Sequence, residues 1–135
     1  DVGLPKYATP GSGAVDLQAN IGQTMRILPG AIKTIPTGLA VALPEGYGMF
    51  ISSRSGLAIQ HNIIVLNAPG LIDSDYRGEV RVVLKNTGDT VFFIHPGARV
   101  AQAFLVQLPT IQWRVVQDLP DTERGVGGFG HTGTS

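Results

Sequence analysis

The chain has no cysteine among its 135 residues, only two methionines and a single tryptophan. Without thiols it forms no disulfide framework, holds no thiolate zinc and carries no sulfur nucleophile. It also lacks a surplus of charge, since ten Lys and Arg balance ten Asp and Glu. A broad nucleic-acid or anionic-membrane face needs positive excess, so neither partner is expected. A local site for a small anion remains open, because seven of the ten cations are Arg, whose planar fork suits phosphate and carboxylate. No apolar run reaches transmembrane length and no leader pattern opens the chain, so the cytoplasm is the expected location.

Several catalytic signatures are missing as well. There is no P-loop GxxxxGK[ST], and no GxGxxG precedes a helix. No GxSxG elbow supports a serine hydrolase. His61, His95 and His131 are scattered without HxxxH spacing, which argues against a histidine metal site.

What the chain has in quantity is punctuation. Eighteen Gly and nine Pro fall at Pro10-Gly11, Pro29-Gly30, Pro44-Glu45-Gly46, Pro69-Gly70, Asn86-Thr87-Gly88 and Pro96-Gly97, each a turn signal. Between them lie short runs rich in Val, Ile, Leu and Thr: AVDLQA, TMRIL, AIKTI, GLAVAL, YGMFIS, IIVLN, EVRVVLKN, TVFFI, RVAQAFLVQL and IQWRVV. Several alternate apolar with polar, the period of a half-buried strand. The best helix is short, Ser55 to Gln60. Regular short strands between turns predict one all-β domain, a sandwich, jelly roll or barrel. Trp113 and the Phe residues before the tail are expected to fill its core.

Three places concentrate polar chemistry. In NAPGLIDSDYRGEV (67–80), Leu71 and Ile72 anchor a strand end and leave the Asp73 carboxylate at the lip of the core. There it can take a proton from water, or it can close an ordinary Asx-turn. Arg54-Ser55-Gly56 follows a strand, which suits a phosphate cradle, or Ser55 simply caps the short helix. After Pro120 the tail DTERGVGGFGHTGTS has almost nothing to bury and is expected to be mobile. It is either a frayed terminus or a closing segment in which Arg124, Phe129 and glycine amides meet an anionic, ring-bearing ligand. Asp16 in AVDLQA and Gln102 in RVAQAFL fall on the solvent face by simple strand alternation.

Taken together, AVDL (14–17), RSGLA (54–58), NAPGLIDSDYRGEV (67–80), GARVAQAFL (97–105) and RGVGGFGHTG (124–133) resemble, in order and spacing, the five motifs of the homotrimeric dUTPase family. The resemblance spans nearly the whole chain. It implies a jelly-roll-like distorted barrel over 1–120, a flexible glycine-rich lid over 121–135, and hydrolysis of dUTP to dUMP and pyrophosphate. It implies that Asp73 activates the water attacking the α-phosphate, and that Tyr76 packs under deoxyribose and excludes a 2′-hydroxyl. Asn67, with backbone from Gly70, Leu71, Ile72 and Asp73, reads uracil in this scheme. Arg54, Ser55, Gly56 and Gln102 hold phosphate. Arg124 meets the γ-phosphate, and Phe129, flanked by Gly128 and Gly130, stacks on the base. Mg²⁺ is held mainly by the substrate phosphates, with no direct protein ligand and Asp16 acting through a water. A homotrimer with shared active sites follows from the same resemblance.

Two other readings on this scaffold are a dCTP deaminase-related enzyme and a non-catalytic nucleotide-binding regulator. Departures from the family pattern are few. Ser53 stands where many relatives have Pro before RSG, which is expected to loosen that turn. GAVD replaces the frequent AGYD, and His131 stands where many relatives have Ser. Asp75 is expected to be a turn acid, and Arg77 its ion-pair partner.

Overall fold

A computed structural model describes residues 2–129. Among them the order is β1 (Val15–Gln18), β2 (Met25–Ile27), β3 (Ile32–Pro36), β4 (Tyr47–Ser52), α1 (Ser55–His61), β5 (Ile63–Val65), β6 (Gly70–Ile72), β7 (Arg81–Asn86), β8 (Phe92–Ile94) and β9 (Arg99–Gln107). Three antiparallel sheets result, ordered β1-β9-β4-β6, β3-β7-β5 and β2-β8. The all-β expectation holds, with one short helix ending one residue beyond Gln60.

Alternation along the strands builds the core. In β7, Val82, Leu84 and Asn86 point inward while Arg81 stays in water. These residues meet Leu17, Ile27, Ile35, Ile63, Ile94, Val100 and Ala103 in one buried cluster. Each fully buried aliphatic side chain stabilises the fold by about 1.5–3 kcal/mol relative to exposure. Two buried polar side chains are fully partnered. Asn86 donates to the carbonyls of Ile27 (3.0 Å) and Thr90 (2.7 Å) and accepts from Gly88 N–H (3.0 Å), closing the β7–β8 turn. The Thr37 hydroxyl donates to the Val80 carbonyl at 2.6 Å.

Three expectations are corrected. GLAVAL (38–43) is not a strand: Leu39 and Val41 pack on the core, but the segment crosses between sheets and its main ladder-like bond is Val80 N–H to the Leu39 carbonyl at 2.7 Å. IQWRVV (111–116) pairs with nothing among the described residues. Trp113 is 89% exposed rather than buried, and Ile111, Val115 and Leu119 are exposed with it. Aromatic rings in general stay out of the centre. Phe93 is exposed, and Phe50 and Phe104 pair across β4 and β9 at the margin, 5.9 Å apart.

Candidate active site

Strand β4 positions the site because groups gather at both of its ends. At the far end, register aligns Asp16 of β1 with Gln102 of β9, and Gln102 with Ser52 of β4. The chain then leaves the sheet as Ser53-Arg54 and enters α1. Arg54 Nε donates to Asp16 Oδ1 at 2.8 Å, and its Nη1 donates to the Arg99 carbonyl at 3.2 Å. Arg99 Nη1 approaches the other Asp16 oxygen at 3.4 Å. The Gln102 amide donates to Ser52 Oγ (3.2 Å) and the Ser53 carbonyl (3.0 Å). Two guanidiniums therefore share one carboxylate, leaving net positive charge beside the exposed Ser55 and Gly56. Space around Gly56 is open, so its backbone is accessible to a ligand. Asp16 and Gln102 are half-buried members of this cluster, not simple solvent-facing residues. Ser55 is the first helical residue, and Arg54 occupies the cap without a side-chain cap bond.

Ser53 reverses the expectation made for it. Its Oγ accepts the Val65 N–H at 2.8 Å, fastening the turn before α1 to β5. A proline there has no hydroxyl to do so.

Strand β6 runs antiparallel beside β4, pairing Gly70 with Ile51 toward the Ser52 end and Ile72 with Met49 toward the Tyr47 end. The Asn67 side chain lies against Gly70, so close that an added Cβ there would sit 3.1 Å from Nδ2. A narrow slot of about 50 Å³ lies among Asn67, Gly70, Leu71, Val65 and Ile51. Asp73 leaves β6 exposed. Its turn is held by other groups: Tyr76 N–H donates to the Asp73 carbonyl at 3.2 Å, and Arg77 donates to the carbonyls of Ser74 (2.7 Å) and Tyr76 (3.0 Å). Arg77 thus braces the turn through carbonyls, and among the described residues it forms no ion pair with Asp75. The Asp73 carboxylate takes no part in these bonds, so the Asx-turn reading fails. It faces a cleft of about 730 Å³ lined also by Glu45, Tyr47, Asp75, Arg77 and Leu108.

Tyr76 donates its hydroxyl to the Glu79 carbonyl at 3.1 Å. The Glu79 carboxylate accepts Gly38 N–H and Arg81 Nε, both at 2.9 Å. The Gly38 bond, followed by Arg81, holds its pKa below the ordinary 4.5.

The two ends do not meet within one chain. Asp73 emerges beside Gly48 and Arg54 lies beyond Ser52, a separation of ~20 Å at strand rise. Nor does the described part of the tail, through Phe129, join either end in this chain. Arg124 Nε donates to the Gly127 carbonyl at 2.8 Å, Gly128 is exposed, and Phe129 is fully exposed. Gly130 and His131 lie outside the described residues. A cation cluster, a slot with a backbone edge and an unengaged carboxylate suit a ligand with an anionic arm and a planar head, cleaved by water.

Sequence reasoning overlooked Gly78 and Glu79 around Tyr76, and it gave Arg99 no part beside Asp16. The signal for Arg99 was its place three residues before Gln102 in the same motif. The other two carried none, because their roles depend on where a ring folds back.

Comparison with known proteins gives the family. The family model described as dUTPase matches residues 1–133, and the chain belongs to that family. The deoxyuridine 5'-triphosphate nucleotidohydrolase of Chlamydia pneumoniae is 52% identical over 133 residues, covering 98% of this chain and 92% of that protein. The dUTPase of Staphylococcus bacteriophage 80alpha, solved with dUpNHpp, superposes with a TM-score of 0.89 at 24% identity, over 98% of this chain and 93% of that one. The dUTPase of phage phi11, whose structure reveals coordination of a structural Mg(II) ion, gives 0.80 at 20% identity over 89% and 93%. At those identities the phage proteins speak for the fold alone. The deaminase alternative finds no support in these relatives.

Proposed function

We propose that the protein hydrolyses dUTP to dUMP and pyrophosphate, with Asp73 as general base. The observation that carries the assignment is a carboxylate left unengaged in a turn whose other hydrogen bonds are made, in a chain of the dUTPase family. The carboxylate takes a proton from water as the water oxygen bonds to the α-phosphorus. The bond from that phosphorus to the β-bridging oxygen breaks, and pyrophosphate leaves. General-base assistance of this kind contributes about 10²–10⁴-fold.

The triphosphate repels an oxygen nucleophile unless its oxygens are covered by positive charge. Arg54, held by Asp16, supplies that cover at the far end of β4, with Ser55, Gly56 and Gln102 as further donors. Asn67 and the backbone from Gly70 to Asp73 form the edge that reads uracil. A mispaired base in such a slot leaves a buried polar group unsatisfied, which costs about 1–3 kcal/mol. Tyr76 screens the sugar. Arg124, Gly128 and Phe129 are assigned to closure over phosphate and base, and Gly130 is assigned with them.

Mg²⁺ is the proposed cofactor. Among the described residues no cluster of His, Cys, Asp or Glu forms a cage. Asp16 keeps acceptor capacity beyond its two arginine partners and suits a metal-bound water. This donor set fits an ion held through substrate phosphates and waters, as Mg²⁺ commonly is. When bound, the ion neutralises triphosphate charge and fixes its shape for in-line attack.

A homotrimer with shared sites is proposed on two supports: the separation of Asp73 from Arg54 along β4, and the exposed apolar arm Ile111–Leu119, which pairs with no strand among the described residues. No described helix is long and apolar enough to cross a membrane. The test of the function is pyrophosphate release from dUTP with Mg²⁺. A folded protein that releases none sinks the assignment.

A further inference from the structure

Gly78 is a glycine without a backbone reason to be one. It is not among the residues with positive φ, unlike Gly30, Gly38, Gly46, Gly97 and Gly125, so an L side chain fits its conformation. What fills the space of its missing side chain is Tyr76. A Cβ at residue 78 would lie 2.3 Å from Tyr76 Oη, 2.6 Å from Cζ and 3.0 Å from Cε2. The ring is folded back onto the bare backbone, with its hydroxyl tied to the Glu79 carbonyl at 3.1 Å. Glu79 is itself fixed by Gly38 N–H and Arg81.

We propose that Gly78 is a positioning residue for substrate selection: its bare Cα is the seat that sets the tilt of the Tyr76 ring, and thereby the discrimination against a 2′-hydroxyl. The inference rests on the reading that Tyr76 faces the sugar. A planar phenol has no soft end, so a methyl group beneath it cannot be absorbed by bending a side-chain tip. The ring must rotate about χ1 and χ2 and release the Glu79 carbonyl. Because Tyr76 is 43% exposed, it has solvent to rotate into. The strain therefore leaves through the ring, and the fold stays intact. Asp73 is bonded through its carbonyl to Tyr76 N–H, not to the ring, so the base keeps its place.

The test compares (kcat/KM) for dUTP with that for UTP in the purified full chain and in Gly78→Ala, Tyr76→Ala and the double variant. A site that merely excludes an added hydroxyl discriminates by about 10²-fold. Gly78→Ala is expected to lower the ratio roughly tenfold or more, chiefly by admitting UTP. Its kcat for dUTP should stay within about threefold and its melting temperature within a few degrees. In the Tyr76→Ala background the same substitution should change the ratio by less than about twofold, because an effect that travels only through the ring vanishes with it.

An unchanged ratio in Gly78→Ala while Tyr76→Ala lowers it overturns the proposal and spares the reading of Tyr76. An unchanged ratio in Tyr76→Ala overturns that reading, and the proposal with it. A further drop on adding Gly78→Ala to Tyr76→Ala shows a route outside the ring and also overturns the proposal. If Gly78→Ala melts many degrees lower, Gly78→Ser at a permissive temperature repeats the comparison, with the same outcomes.

Discussion

Two impaired variants should together make a more active enzyme. The groups at opposite ends of β4, Asp73 and Arg54, lie ~20 Å apart in one chain, too far to act on one phosphate. If a site draws Asp73 from one subunit and Arg54 from its neighbour, Asp73→Asn and Arg54→Ala complement each other. Alone, the first loses general-base help, about 10²–10⁴-fold. The second removes a charge-assisted donor and strands Asp16, which accepted from Arg54 at 2.8 Å. At about 1.5–3 kcal/mol for such a bond, its turnover falls roughly 10–100-fold. In randomly mixed cyclic oligomers, a site is intact when its Asp73 and its Arg54 both come from the undamaged donor. With equal amounts that is about a quarter of sites, since each choice is independent in a ring of equivalent interfaces. Co-expressing the variants with different tags and isolating doubly tagged oligomers removes the homo-oligomers, so in a trimer one site in three is intact, and pyrophosphate release should be about a third of the unaltered turnover per site. A mixture that stays at the parents' level, with mixed oligomers in hand, refutes the division of the site between chains.

Three further outcomes are expected. Glu79 has a depressed folded pKa, so its stabilising contribution is present above the unfolded value and fades as pH falls through the folded one. Glu79→Gln should lower the melting temperature at neutral pH, and the gap should close on acidification below 4.5, whereas a gap independent of pH removes the ionic link. Ser53→Ala leaves the amide of buried Val65 without its 2.8 Å acceptor and should cost about 1–2 kcal/mol by denaturant unfolding; no measurable loss would mean that the bond contributes nothing. Trypsin should cut after Arg124 at least tenfold more slowly when a non-hydrolysable dUTP analogue and Mg²⁺ are bound, and equal rates would take the tail away from the site.

Much of this was readable in the chain, and the reasons are local. β7 and β9 announce themselves by period-two alternation, and the helix after Arg54 by its neighbourhood of turns. GLAVAL misleads because alternation reports burial on one face, which Leu39 and Val41 do achieve, while a strand also needs a neighbour for its amides. IQWRVV misleads for a related reason: its apolar side chains are exposed and the segment pairs with no strand among the described residues. The Asp16–Arg54 pair was out of reach, because it depends on the register of β1, β9 and β4 across 38 positions of sequence. Asp73 shows the opposite case. Its residue type fits both a turn and a base, and the turn's hydrogen bonds, made without its carboxylate, leave it available for the proposed base role.

One more consequence follows from where the core ends. The last residue of the buried cluster is Ala103, and the exposed arm begins several residues later, so collapse of the sheets requires nothing from Ile111 to Leu119. If the proposed trimer forms, folding and assembly are therefore separate events in time. Recovery from denaturant should show a first-order phase, insensitive to protein concentration, in which the three sheets close. A slower phase whose rate rises with concentration should follow, carried by the emission of Trp113 as the arm leaves water. On the proposed assembly, a newly made chain passes through a folded, unassembled interval, and the length of that interval is set by how many copies surround it.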